Sequence, residues 1–213
     1  MSDTIIRRAT LSDIPYVYEI CLKTGDAGKD ASALYNDPYI IGQYYAAPYL
    51  VFPAGICFIA EHERRPQGYI IAAPDTGDFN RWMEEVWLPP LRKRYPQPFP
   101  PEMIRSASEE RILNSFHKRH FPVDADDQLL LKDYPAHLHI DLLPSLQGKG
   151  MGRALINVLC EELARRGIPG VQLGVGAKNS GAIAFYQKIG FSVLQEEDWG
   201  LVMGKNTVTP HNN

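Results

Sequence analysis

The sequence predicts an α/β (α+β) fold, a mixed central sheet of about six to seven strands flanked by helices, with a helical, proline-rich insertion ahead of the strand that enters the candidate site. Three patterns carry this expectation. Ala136 to Leu142 alternates, with Leu138, Ile140 and Leu142 on one face and His137, His139 and Asp141 on the other, which is the period of a strand. Met151, Leu155, Val158, Leu159 and Leu163 then recur at helical spacing. The glycine-rich stretch between them, Pro144 to Arg153, must therefore be a tight turn from strand into helix. Further strand-like and helical runs alternate along the rest of the chain.

Taken in order, Thr4 to Ala9 alternates weakly and reads as the first strand. Thr10-Leu11-Ser12-Asp13 supplies a helix start with a capping pair between Thr10 and Asp13, and Ile14, Tyr18, Cys21 and Leu22 align on one face up to Gly25. A second helical region, Leu34 to Leu50, is interrupted by Pro38 and Pro48. Its Tyr35, Tyr39, Tyr44, Tyr45 and Tyr49 either pack in a core or wall a pocket. Gly55 to Glu61 and Gln67 to Ala73 flank the turn His62 to Pro66 and read as an antiparallel hairpin.

Residues 75–133 hold seven of the seventeen prolines yet carry two helical patterns. Phe79 to Arg94 includes Trp82, Val86 and Trp87, and Pro89-Pro90 should break or bend it. Ser106 to His120 opens with Ser106-x-Ser108-Glu109-Glu110 and should bury Ile112, Leu113 and Phe116. A structureless segment of that length is unusual in a compact domain, so 75–133 is expected to be a structured insertion covering one side of the site. Beyond the glycine turn and its helix, Val171 to Val175 is a short strand. Asn179-Ser180 caps a helix over Ala182 to Lys188 that stops at Gly190, and Phe191 to Leu194 with Trp199 to Met203 closes the chain as a hairpin. The expected organisation is one domain over residues 1–205 and a polar tail over 206–213.

Composition narrows the function. The 213 residues, 45% of them hydrophobic, suffice for one core. A net charge of -3 with scattered Lys and Arg argues against a dedicated nucleic-acid binder. Cys21, Cys57 and Cys160 lie in apolar surroundings without a Cys-x-x-Cys pair, as expected of reduced core residues in a cytoplasmic protein. Residues 1–13 are charged, unlike a signal peptide, and the apolar region Ile40 to Ala60 is interrupted by Gln43, Pro48 and Pro53, so no membrane span is expected. His117 and His120 have no third ligand at a convincing spacing, and no metal site is expected.

The glycine turn is an anion site by construction, because unpaired N–H groups and the positive end of the helix dipole point into it. Arg153 stands where a dinucleotide fingerprint needs glycine, and Gly150 follows Lys149 where a nucleoside-triphosphate loop needs Ser or Thr. What remains, Gln147-x-x-Gly150-x-Gly152 just past Pro144, resembles the pyrophosphate loop of the Gcn5-related N-acetyltransferase (GNAT) superfamily. Asn179-x-x-Ala182-x-x-Phe185-Tyr186-x-Lys188-x-Gly190-Phe191 resembles that family's second signature, in the correct order. A longer resemblance, through Trp87-Leu88-Pro89, Tyr95, Ser115-Phe116-His117 and Ile140-Asp141, is to the acetyltransferase-like C-terminal region of eukaryotic O-GlcNAcase and its free-standing bacterial relatives. The eukaryotic regions have lost the glycine-rich loop, which this sequence keeps.

The resemblance implies a GNAT fold, acetyl-CoA (coenzyme A) as cofactor and direct acetyl transfer to an amine, of a small molecule or of a protein lysine, in a ternary complex. The rival is a recognition module that binds acetyl-CoA without turnover. Gln147, Gly148, Lys149, Gly150, Met151, Gly152 and Arg153 would hold the pyrophosphate. An N–H near Leu142 or Leu143 would polarise the thioester, and Asn179 either lies by the pantetheine or simply caps its helix. Tyr186 matches the acid that returns a proton to the thiolate, or else is a packed aromatic. His137 and His139 resemble the proton-relaying pair of arylalkylamine N-acetyltransferases, with sheet hydrogen bonding as the alternative. Asp141 could accept a proton, bind the acceptor's ammonium or be structural, and Glu61 and Asp75 are weaker candidates for holding a cationic acceptor. A homodimer is compatible with the sequence but not fixed by it.

Overall fold

The computed structural model describes residues 4–119 and 125–207, without the side chains of 125–127. His120, the last residue of one expected helix, and positions 208–213 of the expected tail lie outside the described residues.

Seven strands form one sheet: β1 (Thr4–Arg8), β2 (Ile56–His62), β3 (Arg65–Ala73), β4 (Ala136–Leu142), β5 (Gly170–Gly176), β6 (Ser192–Glu197) and β7 (Gly200–Asn206), in the order β1-β2-β3-β4-β5-β7-β6. Only β4 and β5 pair in parallel, and only through Ala136 with Val171 and His137 with Gln172. Past those residues the two strands part, opening a wedge in the middle of the sheet. The β2–β3 turn is made by Glu63 and Arg64, both left-handed at φ +50° and +63°, the geometry that matches strand twist in a two-residue hairpin.

Strand alternation divides the interior in two. Ile56, Phe58, Ile70, Ala72, Ala136 and Leu138 face α8 (Met151–Arg165) and α9 (Ser180–Lys188), which bring Leu155, Leu159 and Leu163 to that side. Cys57, Ile59, Tyr69 and Ile71 face the other side, onto α1 (Ile14–Thr24), α2 (Ile40–Tyr45), α3 (Ala47–Val51) and the helices of 75–133. The polar face of β4 opens onto this second layer.

In α1 the expected apolar face is rotated. Val17, Ile20, Cys21 and Thr24 are buried, while Tyr18 and Leu22 are only partly so. Thr24 tolerates burial because its hydroxyl donates to the Ile20 carbonyl at 2.8 Å.

Among the described residues, 75–133 hold four α-helices: α4 (Thr76–Trp82), α5 (Leu88–Arg94), α6 (Ala107–His117) and α7 (Ala125–Asp133), the last unforeseen from the sequence. Pro89-Pro90 neither breaks the helical run nor ends it. A π turn over Met83–Trp87 intervenes between α4 and α5 and places the prolines in the first turn of α5, where a missing N–H leaves no bond unmade. Ser106 caps α6 by accepting from the Ser108 and Glu109 N–H groups, and Ile112, Leu113 and Phe116 are buried as expected.

Candidate active site

Between β4 and α8 the chain makes a 3-10 turn over Pro144–Leu146 and reaches the helix through two left-handed glycines, Gly148 at φ +71° and Gly150 at +80°. An L side chain is strained in that region, which explains both glycines. Gly152 has a different reason. It is helical, and a Cβ there would come 2.9 Å from Cζ of Phe185 on α9. The loop is tied to the strand end by Gln147, whose Nε2 donates to the Leu142 carbonyl at 2.8 Å. Among the described residues, the N–H groups of Gly148 to Arg153 have no main-chain acceptor. They ring the start of a fifteen-residue helix, so the cradle suits a diphosphate. Lys149 and Arg153 are exposed beside it.

The cradle borders a cleft of about 660 Å³ lined by Gln147, Gly148, Gly150, Gly152, Arg153 and, on the α9 side, Phe185 and Lys188. Leu142 lines it as well. The N–H of Leu143 donates to the Gln67 carbonyl at 2.9 Å, so it is engaged within the sheet. Alternation along an extended strand turns the N–H of Leu142 to the opposite edge, toward the gap opened by β5. Of the two N–H groups expected near an acyl carbonyl, Leu142 is therefore the one with a free edge. Asn179 caps α9 by accepting from the Ala182 N–H at 3.2 Å and also borders the cleft.

A second and larger cavity of about 1110 Å³ adjoins the first, and Thr24, Ile140, Asp141, Asn179 and Tyr186 line both. Its walls come from Tyr35, Tyr44 and Tyr45, from the outer face of α6, and from Trp199 in the β6–β7 turn. The Trp199 indole lies on Gly174 of β5, where a Cβ would come 2.7 Å from it. Tyr49 lines a third pocket of about 250 Å³ beneath α4, and Tyr39 is 53% exposed, so neither of these two tyrosines lines the large cavity.

The polar face of β4 divides into three roles. Thr76 Oγ1 gives its proton to the Pro135 carbonyl at 2.8 Å, so at its 2.8 Å contact with His137 it must accept from Nδ1–H. His137 Nε2 is then unprotonated and accepts from the Tyr49 hydroxyl at 2.8 Å. Both ring nitrogens of His137 are therefore engaged, and burial lowers its pKa to about 3, which favours the neutral imidazole. His139 stands edge-on to Tyr45 and Tyr49, and burial lowers its pKa to about 4. It borders both the large cavity and the small pocket. Asp141 accepts a short hydrogen bond from the hydroxyl of Tyr69, its cross-strand partner. Burial raises its pKa, opposed by the bond from Tyr69.

Tyr186, opposite on α9, has its phenol raised by burial and then by the charge of Asp141. Glu61 is held by Arg7 at 2.7 Å and Asp75 caps α4 at 2.8 Å, so these two sequence candidates lie outside the cavities. Sequence reasoning missed Tyr69, Thr24, Arg111 and Trp199. No local signal marks them, because each reaches the site from a distant part of the chain.

Residues 28–191 match the model of the Acetyltransferase (GNAT) family. The chain belongs to this family. Acetyl-CoA is the family's cofactor, and the cradle and wedge described above fit it. The crystal structure of SsHAT superposes with a TM-score of 0.85 at 33% identity, over 97% of this chain and 99% of that one. The paia N-acetyltransferase of Thermoplasma acidophilum, solved in complex with coenzyme A, superposes with a TM-score of 0.58 at 16% identity over 96% of this chain and 99% of its own, a likeness of fold. The [ribosomal protein bS18]-alanine N-acetyltransferase of Escherichia coli K12 is 45% identical over 49 residues, 23% of this chain. That stretch spans only 33% of the relative's length.

Proposed function

We propose that this GNAT chain is an acetyl-CoA-dependent N-acetyltransferase that passes the acetyl group directly to an amine. The observation that carries the reading is the meeting of two cavities at Asp141 and Tyr186, one bordered by an anion cradle and the other aromatic and polar. When bound, acetyl-CoA supplies the acetyl group as an activated thioester. The N–H groups of Gly148 to Arg153 hold the diphosphate, aided by Lys149 and Arg153, and Asn179 borders the pantetheine arm. The Leu142 N–H would be the donor available to the acyl oxygen, where a fixed donor favours developing negative charge.

Deprotonating an alkylamine of pKa about 10.4 at pH 7 costs on the order of 4 to 5 kcal/mol, so a proton acceptor at the junction lowers the barrier. Asp141 takes that role through its carboxylate oxygen, and its raised pKa makes it a better base than an ordinary carboxylate. Tyr186 holds at Oη the proton that the departing sulfur needs. His139 remains neutral at physiological pH and accepts a proton only transiently. Cys21 borders the large cavity, but all three thiols are buried and burial raises each of them, Cys57 to about 12, so none is a ready nucleophile.

The resemblance to the O-GlcNAcase C-terminal region we take as kinship within the family. Its residues support this by packing together: Tyr95 stacks on Phe116, His117 Nε2 lies 2.7 Å from the Tyr95 carbonyl, and Leu88 is fully buried. We further take residues 1–205 as one domain and assign it to the cytoplasm, a reading supported by three unpaired thiols. Among the described residues no helix is long and apolar enough to cross a membrane.

The test is coenzyme A thiol release with a panel of small amines, amino acids and lysine peptides. Turnover of any acceptor supports the enzyme. Calorimetric acetyl-CoA binding with no turnover throughout the panel would favour the recognition module.

A further inference from the structure

The larger cavity has a charge pattern that the transfer reaction does not require. Its volume of about 1110 Å³ includes the wedge beside Gly174, Gly176 and Asn179 that the cofactor's arm would take, and beyond the wedge it extends to Tyr35, Tyr45 and α6. One carboxylate, Asp141, sits where the cavity meets the cofactor cleft. Two cations, Arg111 and Lys118, project from α6 and its C-terminal end and border the large cavity alone. Tyr35, Tyr44 and Tyr45 line the same cavity.

Arg111 is exposed to the cavity's solvent, and its situation contrasts with that of four other guanidiniums. Arg7, Arg8, Arg92 and Arg94 each face a carboxylate within 2.9 Å. Among the described residues Arg111 has no carboxylate partner, and its recorded hydrogen bond is from Nη2 to Ser108 Oγ at 2.8 Å. Burial raises the phenols of Tyr35 and Tyr45, and Arg111 is close enough to oppose that rise in part. Asp26, on the loop after α1, is a second carboxylate on the same cavity, and it acts on the Tyr35 phenol in the opposite sense to Arg111. A cation left unpaired on a cavity wall can bind an anion brought by the ligand, and a planar guanidinium suits carboxylate or phosphate.

We infer that the acceptor is a zwitterionic small molecule, an amine that also carries a carboxylate or phosphate, with its ammonium directed to Asp141, its anionic group to Arg111, and its body between the tyrosines. The inference rests on the acetyl-transfer reading and narrows it. A protein lysine has no anionic group of its own to bring to that wall.

Matched acceptor pairs in the thiol-release assay test this: phenylalanine against phenethylamine, and O-phosphoethanolamine against ethanolamine. In at least one pair the anionic member should have the higher kcat/KM by about tenfold or more, and the pair that responds tells carboxylate from phosphate. Arg111→Ala should bring that ratio toward one through KM, and Arg111→Lys should restore part of it. A wild-type ratio of one or below in both pairs, a ratio indifferent to Arg111→Ala, or lysine peptides outperforming every small amine would overturn the inference while leaving acetyl transfer intact. If acetyl-CoA binds but no acceptor turns over, the transfer reading fails. Thermal-shift titrations of the coenzyme A-loaded protein with phenylalanine and O-phosphoethanolamine then decide, and the absence of any Arg111-dependent stabilisation overturns the acceptor class too.

Discussion

At Asp141 and Tyr186 one physical cause, burial, favours the protonated form of both groups, and the two proposed tasks use that differently. A carboxylate that must receive a proton gains basicity as its pKa rises, while a phenol that must deliver one remains loaded at neutral pH. Tyr186→Phe should therefore lower kcat by about 10²-fold with little change in calorimetric acetyl-CoA affinity, and an unchanged rate would return Tyr186 to a packing role. In the wild type, kcat/KM should rise with pH along an acid limb above the ordinary carboxylate range, and Asp141→Asn should remove that limb along with most of the activity.

His137 has its own pH signature. Its folded pKa of about 3 lies below the ordinary 6.5, so between these values the unfolded chain binds the extra proton. Stability from this group is complete above about pH 6.5 and is lost as pH falls toward 3. His137→Gln should flatten the decline in urea-unfolding free energy between pH 6.5 and 4, even if it lowers stability at pH 8. A slope equal to wild type would mean that the imidazole is charged in the folded state.

Two elements act through their ends. The loop into α8 works because left-handed glycines expose successive N–H groups at a helix start. Gly150→Val should cost about 1–2 kcal/mol in backbone strain alone and place a branched side chain in the cradle. Calorimetry should find acetyl-CoA affinity lowered at least tenfold, and near-wild-type affinity would refute the assignment of the loop. Gly152 would fail by another route, through Phe185, so its replacements should loosen α9 as well as the cradle.

At α6 the buried carboxylate of Glu109 accepts from the Arg105 and Asn36 N–H groups, both at 2.7 Å, and joins the 75–133 helices to the segment before α2. Glu109→Ala strands those donors and should lower unfolding free energy by roughly 2–4 kcal/mol in chemical denaturation. Because α6 also walls the large cavity, acceptor KM should rise with it. The π turn before α5 belongs at this scale too, since it lets Pro89-Pro90 enter a helix without leaving a gap in the run that covers the site.

Over the whole molecule, the sheet separates two interiors with different duties. The α8 and α9 side is apolar and supports the cofactor cradle from below. The side carrying α1, α2 and residues 75–133 holds the aromatic rings and the polar face of β4. Direct transfer across the junction leaves no covalent adduct, so intact mass after mixing with acetyl-CoA alone should match the unmodified chain. A stoichiometric gain of one acetyl group would require an acyl-enzyme, for which the three buried, protonated thiols offer no ready nucleophile.

How much of this was legible beforehand follows the range of the interactions. The seven strands, the glycine loop, the caps at Ser106 and Asn179, and the two faces of β4 were legible because each depends on residues within a few positions of one another. The buried face of α1, the passage of Pro89-Pro90 through a π turn, and α7 were not, since tertiary packing outweighs local pattern in such segments. At the site, the sequence by itself determined the anion cradle and the second signature at Asn179 to Phe191. The tertiary structure decided which polar residues of β4 reach the junction of the two cavities. His137 and Asp141 look equivalent along the strand, but Thr76 and Tyr49 engage one while the parting of β4 from β5 leaves the other at the junction of two cavities. The proposed acceptor side, built from Tyr35, Tyr45, Arg111 and Trp199, is assembled from three separate stretches of chain, and only folding brings them to one cavity.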